Sequence, residues 1–309
     1  MRANYAMLLG LAVIISCTRA PAQQTVVPLW PDGAPEKPTV AGVETDTAKL
    51  DNDPINGHLA GRILRYVSHP TITIFQPAAS APRSGAAALV FPGGGYEILA
   101  WDLEGTAVCR WLQSIGVTCL LVKYRIPNRE RYPENFGPLE DAQQAMRLAR
   151  IHSREWNIDP ARVGVVGFSA GAHLAVLLCT HPDDQHVEST FAVSEVDAKV
   201  DARANFAILV YPAFLNLRSD EAVLDPTLIP NAFTPPTFLI QAENDIYGKN
   251  APLYYQALAS AGIPAELHMY ATGGHGFGAA PKGSPEEHWT DMAALWLRSL
   301  GVIAKPKTR

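Results

Sequence analysis

From Ala86 onward the chain alternates short apolar runs with longer segments whose apolar residues recur at helical spacing. The runs are AAALVF (86–91), TCLLVKY (118–124), RVGVVGF (162–168), FAILVY (206–211), TFLIQA (237–242) and AELHMY (265–270). They are short, and most lack polar alternation, which predicts strands covered on both faces. Between them, PLEDAQQAMRLARIHSREW sets Leu139, Ala142, Ala145, Met146 and Ala149 on one face of a helix. Further helices are predicted from about Glu104 to Ser114, directly after Ser169, in APLYYQALASAG and in PEEHWTDMAALWLRSLG. Alternating strands and helices imply parallel crossover units. The predicted class is α/β, with an open, mostly parallel central sheet and helices on both faces. Ligands bind such sheets beyond the C-terminal ends of the strands.

The N-terminal part has a different pattern. Arg2 precedes the apolar stretch Ala6–Ser16, too short to span a bilayer, so residues 1–22 read as a secretory signal peptide. APAQQ offers cleavage after Ala22, while IISC resembles a lipobox that would place lipid on Cys17. Both imply export to the periplasm or beyond. Residues 23–60 are rich in Pro, Asp, Asn and Gly and read as an N-terminal arm of turns and extended coil. GRILRYVSHPTITIFQP predicts strands Arg62–Val67 and Thr71–Gln76 as an antiparallel pair at the sheet edge. The catalytic domain is expected over residues 61–302, with a C-terminal tail at 303–309. No later stretch is long and apolar enough for a transmembrane span.

Composition narrows the picture. With 48% hydrophobic and 18% charged residues in 309, a large core is available. The net charge is −5 with no run of Lys or Arg, which argues against nucleic acid as a partner. Apart from Cys17, the cysteines Cys109, Cys119 and Cys179 lie among apolar residues and read as buried free thiols, with a disulfide as the alternative that no spacing supports. No C-x-x-C spacing points to a metal.

Gly167-Phe168-Ser169-Ala170-Gly171 matches G-x-S-x-G, between a predicted strand and a predicted helix. There a serine sits on a strained turn with its oxygen exposed. A serine nucleophile needs a base, and the base an orienting carboxylate. Asp245 follows the strand TFLIQA, and His275 lies in the glycine-rich loop after AELHMY. Both fall at the sheet edge that carries Ser169, in the order Ser, Asp, His. Glu243 is a rival acid, and Asp245 has the alternative of capping the next helix. The loop FPGGGYEIL offers backbone N–H groups for an oxyanion: Gly94, Gly95 and Tyr96, together with Ala170. Tyr96 and Trp101 are candidates to line a substrate pocket, with core packing as the other reading. His173 is read as packing under the turn, and Asp102 and Glu104 as residues that cap and start a helix. Neither G-x-G-x-x-G nor a P-loop is present.

The set FPGGGY, KYR, GFSAGAHL, ND and GGHGFG resembles the α/β-hydrolase superfamily, and within it secreted bacterial acetylxylan-esterase-like, feruloyl-esterase-like or xylanase B-like hydrolases. The resemblance runs from about Leu29 to Leu300. It implies Ser169, Asp245 and His275 as a catalytic triad, no metal or organic cofactor, and an ester substrate on acylated polysaccharide or oligosaccharide, acetyl first. Ala172 departs from the family's G-F-S-A-G-G-H-L. A peptidase of the prolyl-oligopeptidase type would carry a propeller domain, absent from this pattern. The remaining alternatives are feruloyl or other small-molecule esters, or a non-catalytic carbohydrate-binding or scaffold protein on the same fold.

Overall fold

In the computed structural model, the described residues are 24–35, 42–48, 61–77, 81, 83–128, 136–183, 199–279 and 283–304. The expected signal segment 1–22 and Cys17 lie outside them. Strands β1 (Thr25–Pro28), β2 (Thr45–Ala48), β3 (Arg62–Arg65) and β4 (Thr71–Phe75) precede the first of the buried runs, β5 (Ala87–Phe91). Then follow α1 (Ala107–Ser114), β6 (Thr118–Lys123), α2 (Gly137–Ile151), β7 (Val163–Phe168), α3 (Ala170–Thr180) and β8 (Ala207–Val210). A hairpin, β9 (Asn216–Leu217) and β10 (Asp220–Leu224), leads to β11 (Thr237–Ala242), α4 (Asn250–Ser260), β12 (Ala265–Tyr270) and α5 (Trp289–Ser299).

Eight strands form one sheet in the order β1-β4-β6-β5-β7-β8-β11-β12. From β6 to β12 all neighbours are parallel, while β4 and β1 add antiparallel pairings at one edge. Every residue of β5, β7, β8 and β11 is buried, as expected for strands with helices on both sides. The chain steps one way from β5 to β6, then crosses back to β7 on the other side of β5. Right-handed crossovers therefore put α1 on one face and α2, α3 and α4 on the other. Leu139, Ala142, Ala145, Met146 and Ala149 of α2 are all buried. On the opposite face Trp111 of α1 meets Trp289 of α5 with ring centroids 5.1 Å apart. The reversal of direction at β5 opens a crevice between the C-terminal ends of β5 and β7, the place where such sheets bind ligands.

Two expectations are corrected. Strands β3 and β4 do not pair. Tyr66 takes φ 53°, which turns the chain out of line after β3. Strand β3 instead pairs antiparallel with β2, and β4 inserts between β1 and β6. The arm thus supplies an edge strand, which its four residues were too few to announce as a pattern. Second, Cys109 and Cys119 are not free thiols: α1 and β6 bring them together as a disulfide, leaving Cys179 as a buried thiol pushed up to about 12 by burial. No helix among the described residues is long and apolar enough to cross a membrane.

Candidate active site

Strand β7 ends at Phe168, and α3 begins at Ala170 with no loop between them. Ser169 carries the whole change of direction at φ 51°, ψ −120°. A non-glycine residue there is strained by about 1–3 kcal/mol, and the surrounding contacts must hold it. They do so on both sides. A Cβ on Gly167 would overlap the carbonyl of Gly171, and one on Gly171 would overlap the carbonyl of Phe91. Ser169 N–H donates to Val210 O at 3.1 Å, and its carbonyl accepts from Ala172 at 3.0 Å and Ala213 at 3.2 Å. The backbone is locked while Oγ stays free, 2.8 Å from Nε2 of His275.

His275 sits in a loop where Gly273, Gly274, Gly276 and Gly278 all have positive φ, so the chain coils tightly past the end of β12. Its Nδ1 lies 2.8 Å from Oδ2 of Asp245. An ionised carboxylate only accepts, so Nδ1 carries the proton and Nε2 is left as acceptor for the serine O–H. The Asp245 side chain is fully buried. Oδ2 also accepts from Gln241 Nε2 at 2.7 Å, and Oδ1 accepts from the Tyr247 N–H at 2.8 Å. Helix α4 is entered through Lys249 without a side-chain cap, so Asp245 closes its own turn instead of capping that helix. Glu243, the rival acid, is exposed. Asn244 Oδ1 accepts the Gly274 N–H at 2.8 Å and ties the acid loop to the histidine loop. The His275 ring is flanked by Tyr211 and Tyr247 at 5.1 and 5.0 Å.

The glycine loop leaves β5 and passes directly over the serine. A Cβ on Gly93 would lie 2.7 Å from Ser169 Cβ and 2.6 Å from Phe168 O, so only glycine fits. The loop's carbonyls are occupied: Pro92 O accepts from Tyr124 Oη at 2.6 Å, Gly93 O from Ala100 at 3.0 Å, and Gly94 O from Glu97 and Ile98 at 3.0 and 3.1 Å. The N–H groups of Gly94 and Gly95 have no acceptor among the described residues. Ala170, the first residue of α3, also has an N–H without an intrahelical partner. Ala170 follows Ser169 directly in the chain, and Gly94 and Gly95 follow Gly93, the glycine that abuts the serine.

Two other sequence candidates are placed elsewhere. Tyr96, at φ 64°, turns its ring under the elbow, where its hydroxyl lies 2.8 Å from His173 Nδ1. It is 2% exposed, and its ring packs on Tyr124 and His173. Trp101 is also buried, at the start of a π-helical turn Trp101–Thr106. For both side chains the structure supports core packing over the pocket-lining alternative. The open space lies to one side, as a cleft of about 940 Å³ beside Asp245, walled by Asn216, Arg218 and Glu221 of the hairpin region and by Tyr247 and Lys249 before α4.

The chain matches a family model described as the alpha/beta hydrolase fold over residues 88–233. It is 32% identical over 241 residues to an acetylxylan esterase of Xylanibacter ruminicola, covering 70% of this chain and 46% of the relative. It is 28% identical over 211 residues to endo-1,4-beta-xylanase B of Butyrivibrio fibrisolvens, covering 62% of this chain and 32% of the relative. The chain thus spans less than half the length of these two curated relatives. A solved acetyl ester-xyloside bifunctional hydrolase from Caldicellulosiruptor lactoaceticus superposes with a TM-score of 0.67 at 30% identity, covering 91% of this chain and 97% of that one.

The chain belongs to the α/β-hydrolase family.

Within this hydrolase, Arg125 of the KYR motif lies away from Ser169. Its guanidinium donates to Asp141 at 3.0 Å and Glu140 at 2.9 Å, and Trp30 Nε1 donates to the same Asp141 at 2.7 Å. This buried ion pair joins β6, α2 and the N-terminal segment and is structural. The residue that pattern reading missed is Glu104. It starts no helix by capping; it is buried beneath the glycine loop, and burial raises its carboxyl above the usual range. Its only sequence signal is an acid inside the apolar surroundings of LAWDLEGTAV.

Proposed function

We propose that this hydrolase is a serine-dependent carboxylic-ester hydrolase that works through an acyl-enzyme. The observation that carries this reading is the continuous hydrogen-bonded chain Ser169–His275–Asp245, with both links at 2.8 Å. His275 Nε2 takes the proton as Ser169 Oγ attacks the ester carbonyl. The developing oxyanion is met by the N–H groups of Gly94, Gly95 and Ala170. The tetrahedral intermediate collapses to acyl-Ser169, and His275 returns the proton to the departing alcohol. Water, deprotonated by the same imidazole, then attacks the acyl group, and Ser169 leaves with its proton restored. Asp245 holds the imidazole in the required tautomer throughout.

The substrate we infer is a short acyl ester on carbohydrate, acetyl first. Support comes from the relatives whose names carry acetylxylan and acetyl ester-xyloside activity. The open cleft bordered by Tyr247, Arg218 and Glu221 adjoins the acid Asp245, while neither Ser169 nor His275 lines it. We place the enzyme outside the cytoplasm, because the Cys109–Cys119 bridge suits an oxidising compartment, consistent with an N-terminal export segment. The test is release of acetate from p-nitrophenyl acetate and from acetylated xylan by wild type beside Ser169→Ala. Equal rates for the two proteins dispose of the esterase reading. A preference for long acyl chains over acetyl disposes of the carbohydrate acetyl assignment alone.

A further inference from the structure

Glu104 is a buried carboxylate that the ester-hydrolysis mechanism does not use. Both of its oxygens are occupied by donors from different loops. Oε2 accepts the Gly93 N–H at 2.6 Å, and Oε1 accepts the Tyr211 hydroxyl at 2.8 Å. The same hydroxyl accepts the Gly278 N–H at 3.1 Å, three residues beyond His275. One carboxylate thus connects the glycine loop after β5, the turn after β8 and the histidine loop after β12.

Three features set this carboxylate apart from a filler of core space. Burying it costs solvation that an apolar residue of similar size would not incur. It is delivered by the π-helical turn Trp101–Thr106, a local irregularity frequent at functional sites. Its partner Tyr211 sits at φ 37°, a region that favours glycine, with its ring edge against His275. The consequence for the site is specific. Gly93 abuts Ser169 so closely that no Cβ fits, and Glu104 consumes the Gly93 N–H. That bond holds the Pro92–Gly93 peptide, directly ahead of the peptides whose N–H groups, at Gly94 and Gly95, have no acceptor among the described residues.

Resting on the esterase reading above, we propose that Glu104 is a positioning residue that locks the oxyanion loop to the histidine loop through Gly93 and Tyr211. It touches neither substrate nor Ser169 Oγ. Its effect is exerted on the transition state through the aim of the Gly94 and Gly95 N–H groups and the seat of His275. Loss of Glu104 therefore weakens binding of the tetrahedral species and spares the ground-state complex.

The experiment compares wild type, Ser169→Ala, Glu104→Gln and Tyr211→Phe. The readouts are kcat and KM for p-nitrophenyl acetate and the inhibition constant of phenylboronic acid, which forms a tetrahedral adduct on a serine. Glutamine keeps the shape but presents an N–H₂ where an acceptor is needed, so one of the two bonds is lost. The expected result is a kcat about 10- to 100-fold lower with KM within about threefold of wild type, and a boronate constant weakened in step with kcat/KM. Tyr211→Phe, which deletes one oxygen, shifts the same two constants in the same direction, and decides the matter if Glu104→Gln does not fold. A kcat within twofold of wild type, or a loss that appears in KM with unchanged boronate affinity, overturns the proposal. Wild type that shows no Ser169-dependent turnover fails the esterase reading itself. Full wild-type turnover with an indifferent Glu104→Gln fails only the role given to Glu104.

Discussion

Gln241 donates its side-chain amide to Asp245 Oδ2 at 2.7 Å, the same oxygen that faces His275 Nδ1 at 2.8 Å. Gln241 is the fifth residue of β11 and is fully buried, so a rigid strand sets the carboxylate that in turn sets the imidazole. Replacing it by leucine keeps the volume and removes the donor. A hydrogen bond to a charged group at the low end, about 1.5 kcal/mol, corresponds to roughly a tenfold change in rate. Gln241→Leu should lower kcat by that factor and leave KM near its wild-type value, as read by steady-state kinetics on p-nitrophenyl acetate.

Gly93 and Gly262 form a contrast. Alanine at 93 would press its methyl against Ser169 and the Phe168 carbonyl, whereas Gly262, at φ 71° after α4, has open space around it. Gly93→Ala should lose about 100-fold in kcat and about 1–3 kcal/mol in stability, because backbone must move at Ser169. Gly262→Ala should lose only about 1 kcal/mol from its positive φ and keep wild-type kcat. Kinetics and urea unfolding on both variants separate the two costs.

Burial raises the Glu104 carboxyl above its ordinary value of 4.5, with the bonds from Tyr211 and Gly93 opposing the shift. A raised native-state value means the folded protein binds this proton more tightly than the unfolded chain does. The resulting stabilisation is fully present below the unfolded value and is lost as pH rises through the folded one. Glu104→Gln has no such titration. The stability of wild type minus that of Glu104→Gln should therefore fall as pH rises above the ordinary carboxyl value of 4.5, measured by urea unfolding at each pH. A difference that rises with pH above that value contradicts the assignment.

The Cys109–Cys119 bridge closes a sequence separation of 10 residues. Loop-closure entropy assigns such a bridge about 3 kcal/mol. The double variant Cys109→Ala/Cys119→Ala should lose about 3 kcal/mol of unfolding free energy by urea denaturation and keep its kcat at temperatures where it stays folded, since the bridge ties α1 to β6 and contributes no contact to the Ser169–His275–Asp245 chain.

The inner parallel strands β5, β7, β8 and β11 were legible because each is a continuous buried run, and the C-terminal ends of the parallel strands carry Ser169, Asp245 and His275 to one edge of the sheet. The pairing of β3 was not legible, because a single residue, Tyr66, redirects the chain without changing the alternation pattern. The disulfide was hidden because its cysteines lie on a helix and the next strand, where apolar surroundings suit a free thiol equally well. Glu104 was misread because an acid near a helix start ordinarily caps it. Only the π turn, which no periodicity signals, buries it under the glycine loop. For Tyr96 the sequence left pocket lining and core packing open, because only its positive φ, which no pattern signals, sends the ring inward to His173.

On the proposed mechanism the acyl group passes through Ser169 Oγ. Rapid acid quenching of the protein during turnover of p-nitrophenyl acetate, followed by peptide mapping by mass spectrometry, should find one acetyl group on the peptide containing Ser169 and none in Ser169→Ala. An enzyme that hydrolyses the ester with the acetyl on another residue, or with Ser169→Ala turning over at the wild-type rate, would contradict it.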